Sequence, residues 1–177
     1  MSDNAWPQIG VLGAGGVGCY FGGVLARAGA PVTLVGRQAH IDAIVRDGLY
    51  IDSPNFREHI RVRATTGLEV LRDSGVVLVC VKSTDSESAA RALQPHLGAS
   101  ARVVSMQNGV DNAARIASIL ARPVLAAVVY VGVVMTGPGQ VRHTGRGDLV
   151  VGPLREHAVA DPSLMASASG IAAMFER

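Results

Sequence analysis

The sequence predicts a doubly wound α/β fold whose sheet is mainly parallel and carries a C-terminal hairpin. Three observations predict it. Apolar runs of strand length recur along the chain, at Ile9–Leu12, Pro31–Val35, Val76–Val81 and Arg102–Met106. Stretches with helical spacing or turn composition separate them, the alternation expected of βαβ units. Several runs are continuous and β-branched, as in strands buried on both faces of a parallel sheet.

The elements follow in order. Ile9–Leu12 leads into a glycine cluster, and Val17–Ala28 then reads as a helix with small residues along one side. After the strand Pro31–Val35, the apolar spacing of Ile41, Ile44 and Val45 predicts a helix over His40–Arg46, stopped at Asp47-Gly48. Leu49–Asp52 and His59–Ala64 alternate like edge strands around a turn at Ser53-Pro54-Asn55. A helix is predicted over Thr84–Leu97, capped by Thr84 or Asp85 with Glu87 close behind. Another covers Asp111–Leu120, followed by a long β-branched strand, Val124–Val134. Gln140–His143 and Asp148–Val151 read as a hairpin turning at Thr144–Gly147, and Ser163–Phe175 as a final helix. There is no internal repeat. The last helix runs to Arg177 without a capping glycine or polar tail, so the chain is expected to be a shortened one.

Composition excludes several classes of function. With 49% hydrophobic and 17% charged residues the chain can bury a core and is not disordered. The net charge is +2 with the basic residues scattered, and aromatics make up only 4%, so no nucleic-acid partner is expected. No apolar run reaches membrane-spanning length, and Met1–Pro7 lacks the basic and apolar regions of a secretory signal. A cytoplasmic location without membrane attachment is the expectation. Cys19 and Cys80 have no metal-ligand spacing, and Cys80, inside an apolar strand, reads as a reduced core residue.

Gly13-Ala14-Gly15-Gly16-Val17-Gly18 follows a strand, opens a helix and contains G-x-G-x-x-G. In that context the three glycines have separate duties: a tight turn at Gly13, close approach of a pyrophosphate at Gly15, and close helix–sheet packing at Gly18. The helix start then offers unpaired N–H groups to the phosphates. This is a Rossmann-type dinucleotide loop. Domains selective for NAD place an acid near the end of the second strand, whereas no carboxylate occurs from Asn4 to Ile41. The strand ends instead at Leu34-Val35-Gly36-Arg37. An arginine there can fork onto a 2′-phosphate, so NADP(H) is the expected cofactor.

Ligands of open α/β sheets sit at the carboxyl ends of the strands. Lys82, the only lysine against fifteen arginines, stands at one such end, where its ammonium could orient a carboxylate or a ribose hydroxyl. Asn108 stands at another and offers both a donor and an acceptor, although Asn-Gly is also a common turn signal, so a turn residue is an equal reading. His143 reads as structural or solvent-facing. His40, His59, His96 and His157 show no metal spacing, so no metal is expected. No general acid can be assembled from the residues present.

The order of motifs resembles the ketopantoate reductases (2-dehydropantoate 2-reductases). The residues that carry it are Ile9–Gly18 with Tyr20-Phe21-Gly22-Gly23, Leu25–Gly29, Val32–Arg37 and His40–Leu49, then Val81-Lys82-Ser83, Gln107-Asn108-Gly109 and Gly139–Gly147. The resemblance implies NADPH-dependent reduction of 2-dehydropantoate to pantoate, on the route to pantothenate and coenzyme A. It implies pyrophosphate binding by Gly13, Ala14, Gly15, Gly16, Val17 and Gly18, and a 2′-phosphate contact from Arg37. Lys82 and Asn108 would line the cleft beside ribose, nicotinamide and the small 2-oxo acid substrate. The family carries a second, helical domain holding a catalytic lysine and substrate-binding polar groups. Nothing in residues 1–177 takes that role, so the chain is expected to be the NADP-binding half, catalytically incomplete alone, with any homodimer dependent on the second domain. Reduction of another 2-oxo acid or an imine, or a non-catalytic NADP-binding module, are the alternatives.

Overall fold

The computed structural model describes residues 6–109 and 111–176; the start of the N-terminal stretch and Arg177, both used in the sequence reading, lie outside them. The first elements are β1 (Ile9–Leu12), α1 (Gly16–Arg27), β2 (Val32–Val35) and α2 (Gln38–Asp47). Three short strands follow, β3 (Leu49–Asp52), β4 (Arg57–Ile60) and β5 (Arg63–Thr65), then β6 (Val76–Val79) and α3 (Ser86–Leu93). The chain continues through β7 (Arg102–Ser105), α4 (Asn112–Leu120), the long pair β8 (Val124–Gly137) and β9 (Gln140–Pro153), and two helices, α5 (Arg155–Ala160) and α6 (Ser163–Met174).

The described strands form one sheet in the order β4-β3-β9-β8-β7-β6-β1-β2-β5. From β5 through β8 all neighbours are parallel, and β8–β9 and β3–β4 are antiparallel. Side chains alternate across the sheet. Ile9, Val11, Val76, Leu78 and Val104 join the core that contains α1 and α6. Leu12, Val77, Val79 and Val103 join a second core with Ala90 and Leu93 of α3 and Ile116 and Leu120 of α4. Burial on both faces is why these strands read as unbroken apolar runs.

The expected strand His59–Ala64 is two strands at opposite edges of the sheet. β4 pairs with β3 only as far as Ile60, opposite Leu49, because β3 has no residue beyond that point to offer. The chain then leaves and pairs beside β2 as β5. Only Arg61 and Val62 lie between the two edge strands. Three virtual bonds span at most about 11 Å, so the sheet is curled until its edges nearly meet. Helix α1 sits in the concavity and touches β1, β2, β3, β4, β8 and β9. Gly22 faces Leu34 and Val11, and Gly23 faces Ile51 and Leu49, so two adjacent glycines let both walls close on one helix.

The expected turn at Thr144–Gly147 also lies elsewhere. The reversal is at Pro138-Gly139, with Gly139 at φ +66°, and β9 runs unbroken from Gln140. Thr144 and Gly147 are extra residues in the ladder, each an unpaired bulge opposite β8. The positive φ values of Gly145 and Arg146 belong to that bulged segment, which is why its composition imitates a turn. Thr144 Oγ1 donates to Gly132 C=O at 3.2 Å and holds it to β8.

The helix expected over Thr84–Leu97 is shorter. Ser83–Asp85 and Gln94–His96 are 3-10 turns on either side of α3, the second containing Pro95, which has no N–H to continue an α-helix. Asp85 holds the N-cap position, but its carboxylate accepts from Thr84 Oγ1 rather than from the helix amides. In α6 the residues Leu164, Ala168, Ile171 and Met174 are buried, Phe175 packs edge-on against Phe21 at 5.6 Å, and Met165 is exposed. Helix α5, absent from the sequence reading, precedes it.

Candidate active site

The sheet order reverses at β1, which has β2 on one side and β6 on the other, so a crevice opens at their carboxyl ends. A cavity of about 720 Å³ lies there. Its lining runs from Arg37 and Thr66 beyond β2 and β5, across the glycine loop, to Lys82 and Asn108 beyond β6 and β7. Four inter-strand spacings make roughly 19 Å, a length suited to two nucleotides laid end to end.

The glycine loop is fixed from both flanks. Gly13 and Ala14 N–H donate to Val35 C=O at 2.8 and 3.1 Å, and Cys80 N–H donates to Leu12 C=O at 2.8 Å. Gly13 adopts φ +114°, and a Cβ there would lie 2.8 Å from the backbone of Cys80 and Val81. Gly36 provides a further close contact: a Cβ on it would come 2.5 Å from the Ala14 methyl. The sequence reading gave Gly36 no role, and only the loop's lean onto β2 shows one. A Cβ at Gly18 would collide with the Gly13 carbonyl, whereas a Cβ at Gly15 meets nothing within 4 Å. Gly18 therefore keeps α1 against the loop, and Gly15 leaves room on the cleft side. No acid occurs in the first turn of α1, and its first intrahelical bond is Cys19 N–H to Gly15 C=O, so the preceding amides have no helical acceptor. An anionic diphosphate fits this cradle in both space and charge.

Five of the six loop residues (Gly13, Ala14, Gly15, Gly16, Val17), with Arg37, Lys82 and Asn108, line the same cavity; Gly18 lies buried beneath it. Arg37 and Lys82 are exposed on the cleft and make no ion pair among the described residues. Asn108 is exposed, and its carbonyl accepts from Ser83 Oγ at 2.8 Å and from Asn112 Nδ2 at 2.6 Å.

A polar network beneath these two residues was not foreseen. Gln107 Nε2 donates to Val81 C=O at 3.0 Å and to Ser86 Oγ at 2.7 Å, while its Oε1 accepts from Ser105 Oγ at 3.1 Å. Ser86 Oγ lies 3.0 Å from Asn112 Oδ1. Ser86, Ser105, Gln107 and Asn112 are all buried. They join the segment after β6, which carries Lys82, to the segment after β7, which carries Asn108. The available signal was a run of polar residues directly after two apolar strands, but their mutual distances depend on β6 and β7 being neighbours.

His143 is buried and structural. Its Nε2 faces the Arg146 carbonyl, so Nε2 carries a proton and Nδ1 accepts from Ser53 Oγ at 3.1 Å; the ring stacks on Tyr20 at 4.3 Å. Cys80 lines the cleft half-buried rather than lying wholly in the core, with its thiol pushed up by burial. Burial pushes the Cys19 thiol to about 12. Both cysteines are free. Among the described residues no group of three or more His, Cys, Asp or Glu is placed to hold a metal ion, and no helix is long and apolar enough to cross a membrane.

Fold and cleft together define a Rossmann-type domain. The family profile described as "Ketopantoate reductase PanE/ApbA" matches residues 9–156. A 2-dehydropantoate 2-reductase of Halobacterium salinarum is 39% identical over 151 residues, covering 84% of this chain and 50% of its own length. That of Pyrococcus horikoshii is 34% identical over 146 residues, covering 82% and 47%. The crystal structure of a PanE/ApbA family ketopantoate reductase from Ralstonia eutropha superposes with a TM-score of 0.85 at 44% identity, over 96% of this chain and 53% of that one. The chain belongs to the ketopantoate reductase family. A glycerol-3-phosphate dehydrogenase (NAD(P)+) of Idiomarina loihiensis is 35% identical over 109 residues, covering 59% of this chain and 32% of its own length. The chain spans about half the length of the curated relatives it matches.

Proposed function

We propose that this chain is the NADP(H)-binding half of a reductase that converts 2-dehydropantoate to pantoate. One observation carries the reading: a single cleft collects the glycine loop, an arginine in place of an acid after β2, and the Lys82 and Asn108 strand ends. When bound, the nicotinamide would supply a hydride to the ketone carbon. The open space at Gly15 and the amides of α1 seat the diphosphate, and Arg37 pairs with the 2′-phosphate. Lys82, a flexible cation on the cleft, orients the substrate carboxylate or a ribose hydroxyl, while Asn108 donates and accepts hydrogen bonds beside it. Holding the reacting carbon near the hydride donor is the contribution of these two residues. By the resemblance to the family, the proton for the developing alkoxide would come from the lysine of the helical second domain, and the described residues contribute the cofactor cleft. Such a protein works in the cytoplasm.

Calorimetric titration with NADPH and NADH, on the wild type and on Arg37→Ala, tests the reading. Losing a charge-assisted phosphate contact costs about 1.5–3 kcal/mol, roughly ten- to a hundredfold in affinity. A preference for NADPH that collapses in the variant is expected. Equal affinity for the two nucleotides in the wild type would remove the NADP assignment.

A further inference from the structure

We propose that His40 is a second residue for the 2′-phosphate, acting beside Arg37 to set the preference for NADP(H) over NAD(H); the proposal rests on the cofactor reading above. Arg37 is the N-cap of α2 and His40 lies in its first turn, and both line the cleft. The ring is fixed from behind. Gly139 N–H, at the turn between β8 and β9, donates to His40 Nδ1 at 3.4 Å. A backbone N–H can only donate, so Nδ1 must keep its lone pair and the proton of the neutral ring sits on Nε2. The opposite edge of the ring therefore presents a donor.

The neighbouring residue does not compete for this role. Gln38 spends its amide on Asp42 Oδ1 at 2.6 Å, on the exposed side of the helix. The turn that fixes His40 is itself held in place, because a Cβ on Gly139 would lie 3.1–3.2 Å from Ala43 and Ile44 of α2. The tip of the β8–β9 hairpin thus fixes the tautomer of a cleft residue on a helix from the other half of the sheet. An anionic ligand close to Arg37 receives a fork of charged N–H groups from one side and a single neutral N–H from the other.

Three variants separate the two edges of the ring. In His40→Gln the amide nitrogen stands near the position of Nε2, and in His40→Asn the amide oxygen can stand near Nδ1 and accept from Gly139. Dissociation constants for NADPH and NADH are measured by calorimetry for both, for His40→Ala, and for Arg37→Ala as the control, with a melting curve to establish that each is folded. His40→Ala should weaken NADPH about tenfold and leave NADH unchanged. Gln should restore most of the loss and Asn should not. Equal weakening of both nucleotides, rescue by Asn alone, or an unchanged NADPH constant would each overturn the proposal. If Arg37→Ala loses the preference while His40→Ala keeps it, the cofactor reading stands and the inference on His40 falls. If the wild type binds neither nucleotide, the cofactor reading falls and takes the inference with it.

Discussion

Replacing Gln107 with Ala removes the side chain that joins the two segments bearing Lys82 and Asn108. It deletes three close hydrogen bonds, to Val81 C=O, Ser86 Oγ and Ser105 Oγ, and a longer one of 3.4 Å to Lys82 C=O, in a residue 6% exposed. A buried group left unpaired costs about 1–3 kcal/mol. Ser86 and Ser105 can turn toward other acceptors, and water from the adjoining cleft can reach Val81 C=O, so the total belongs near the lower end, about 3 kcal/mol for the three. For a domain of this size that lowers the melting temperature by roughly 6–12 °C. Scanning calorimetry on the wild type and the variant measures it, with nucleotide titration alongside. Gln107→Glu makes a sharper comparison, since it preserves shape but turns the donor into a second acceptor facing Val81 C=O and should destabilise at least as much. A melting temperature within 2 °C of the wild type for both variants would refute the reasoning, because the network would then contribute nothing to holding the strand ends.

Three other outcomes are expected. Gly18→Ala drives a methyl into the Gly13 carbonyl and should cost about 1–3 kcal/mol as overpacking, read as a lower urea midpoint together with weaker nucleotide binding. Asp52 accepts from Arg57 at 2.7 Å and Arg142 at 2.9 Å, bonds that tie β3 to β4 and β9 and hold its carboxyl below the usual range, the Arg142 hydrogen bond most of all. A carboxyl depressed in the folded state stabilises above its unfolded value, near 3.9, and that contribution is lost as pH falls further; urea midpoints between pH 2.5 and 6 should therefore fall less steeply toward acid in Asp52→Asn than in the wild type. Both thiols are raised by burial, Cys19 to about 12. A thiol-reactive dye at pH 8 should label neither quickly in the native protein and both on unfolding, whereas fast native labelling of Cys80 would show a thiolate in the cleft.

Residues 9–12, 32–35, 76–79 and 102–105 were legible as strands because burial on both faces leaves them almost wholly apolar, with Thr33, Arg102 and Ser105 the polar exceptions. The glycine loop was legible for a different reason: steric exclusion of Cβ acts at fixed spacing within one turn, and α1 follows it immediately. Arg37, Lys82 and Asn108 could be picked out because the carboxyl end of a parallel strand is a defined place even before its neighbours are known. The misread segments were those whose conformation depends on distant partners. His59–Ala64 alternates throughout, but where β3 ends decides that it splits. Thr144–Gly147 has turn composition, and only its long pairing with β8 makes it a pair of bulges.

The sequence by itself determined the fold class, the dinucleotide-type loop and which strand ends carry polar groups, since these follow from local sterics and from burial patterns within single elements. Tertiary structure alone decided the rest. The curl that brings the two sheet edges within two residues of each other, the Gln107 network between neighbouring strands, and the contact of His40 with Gly139, 99 positions along the chain, all arise where segments far apart in the chain come to share one buried volume. No periodicity encodes such contacts, because each depends on the order and register of strands that the sequence leaves open.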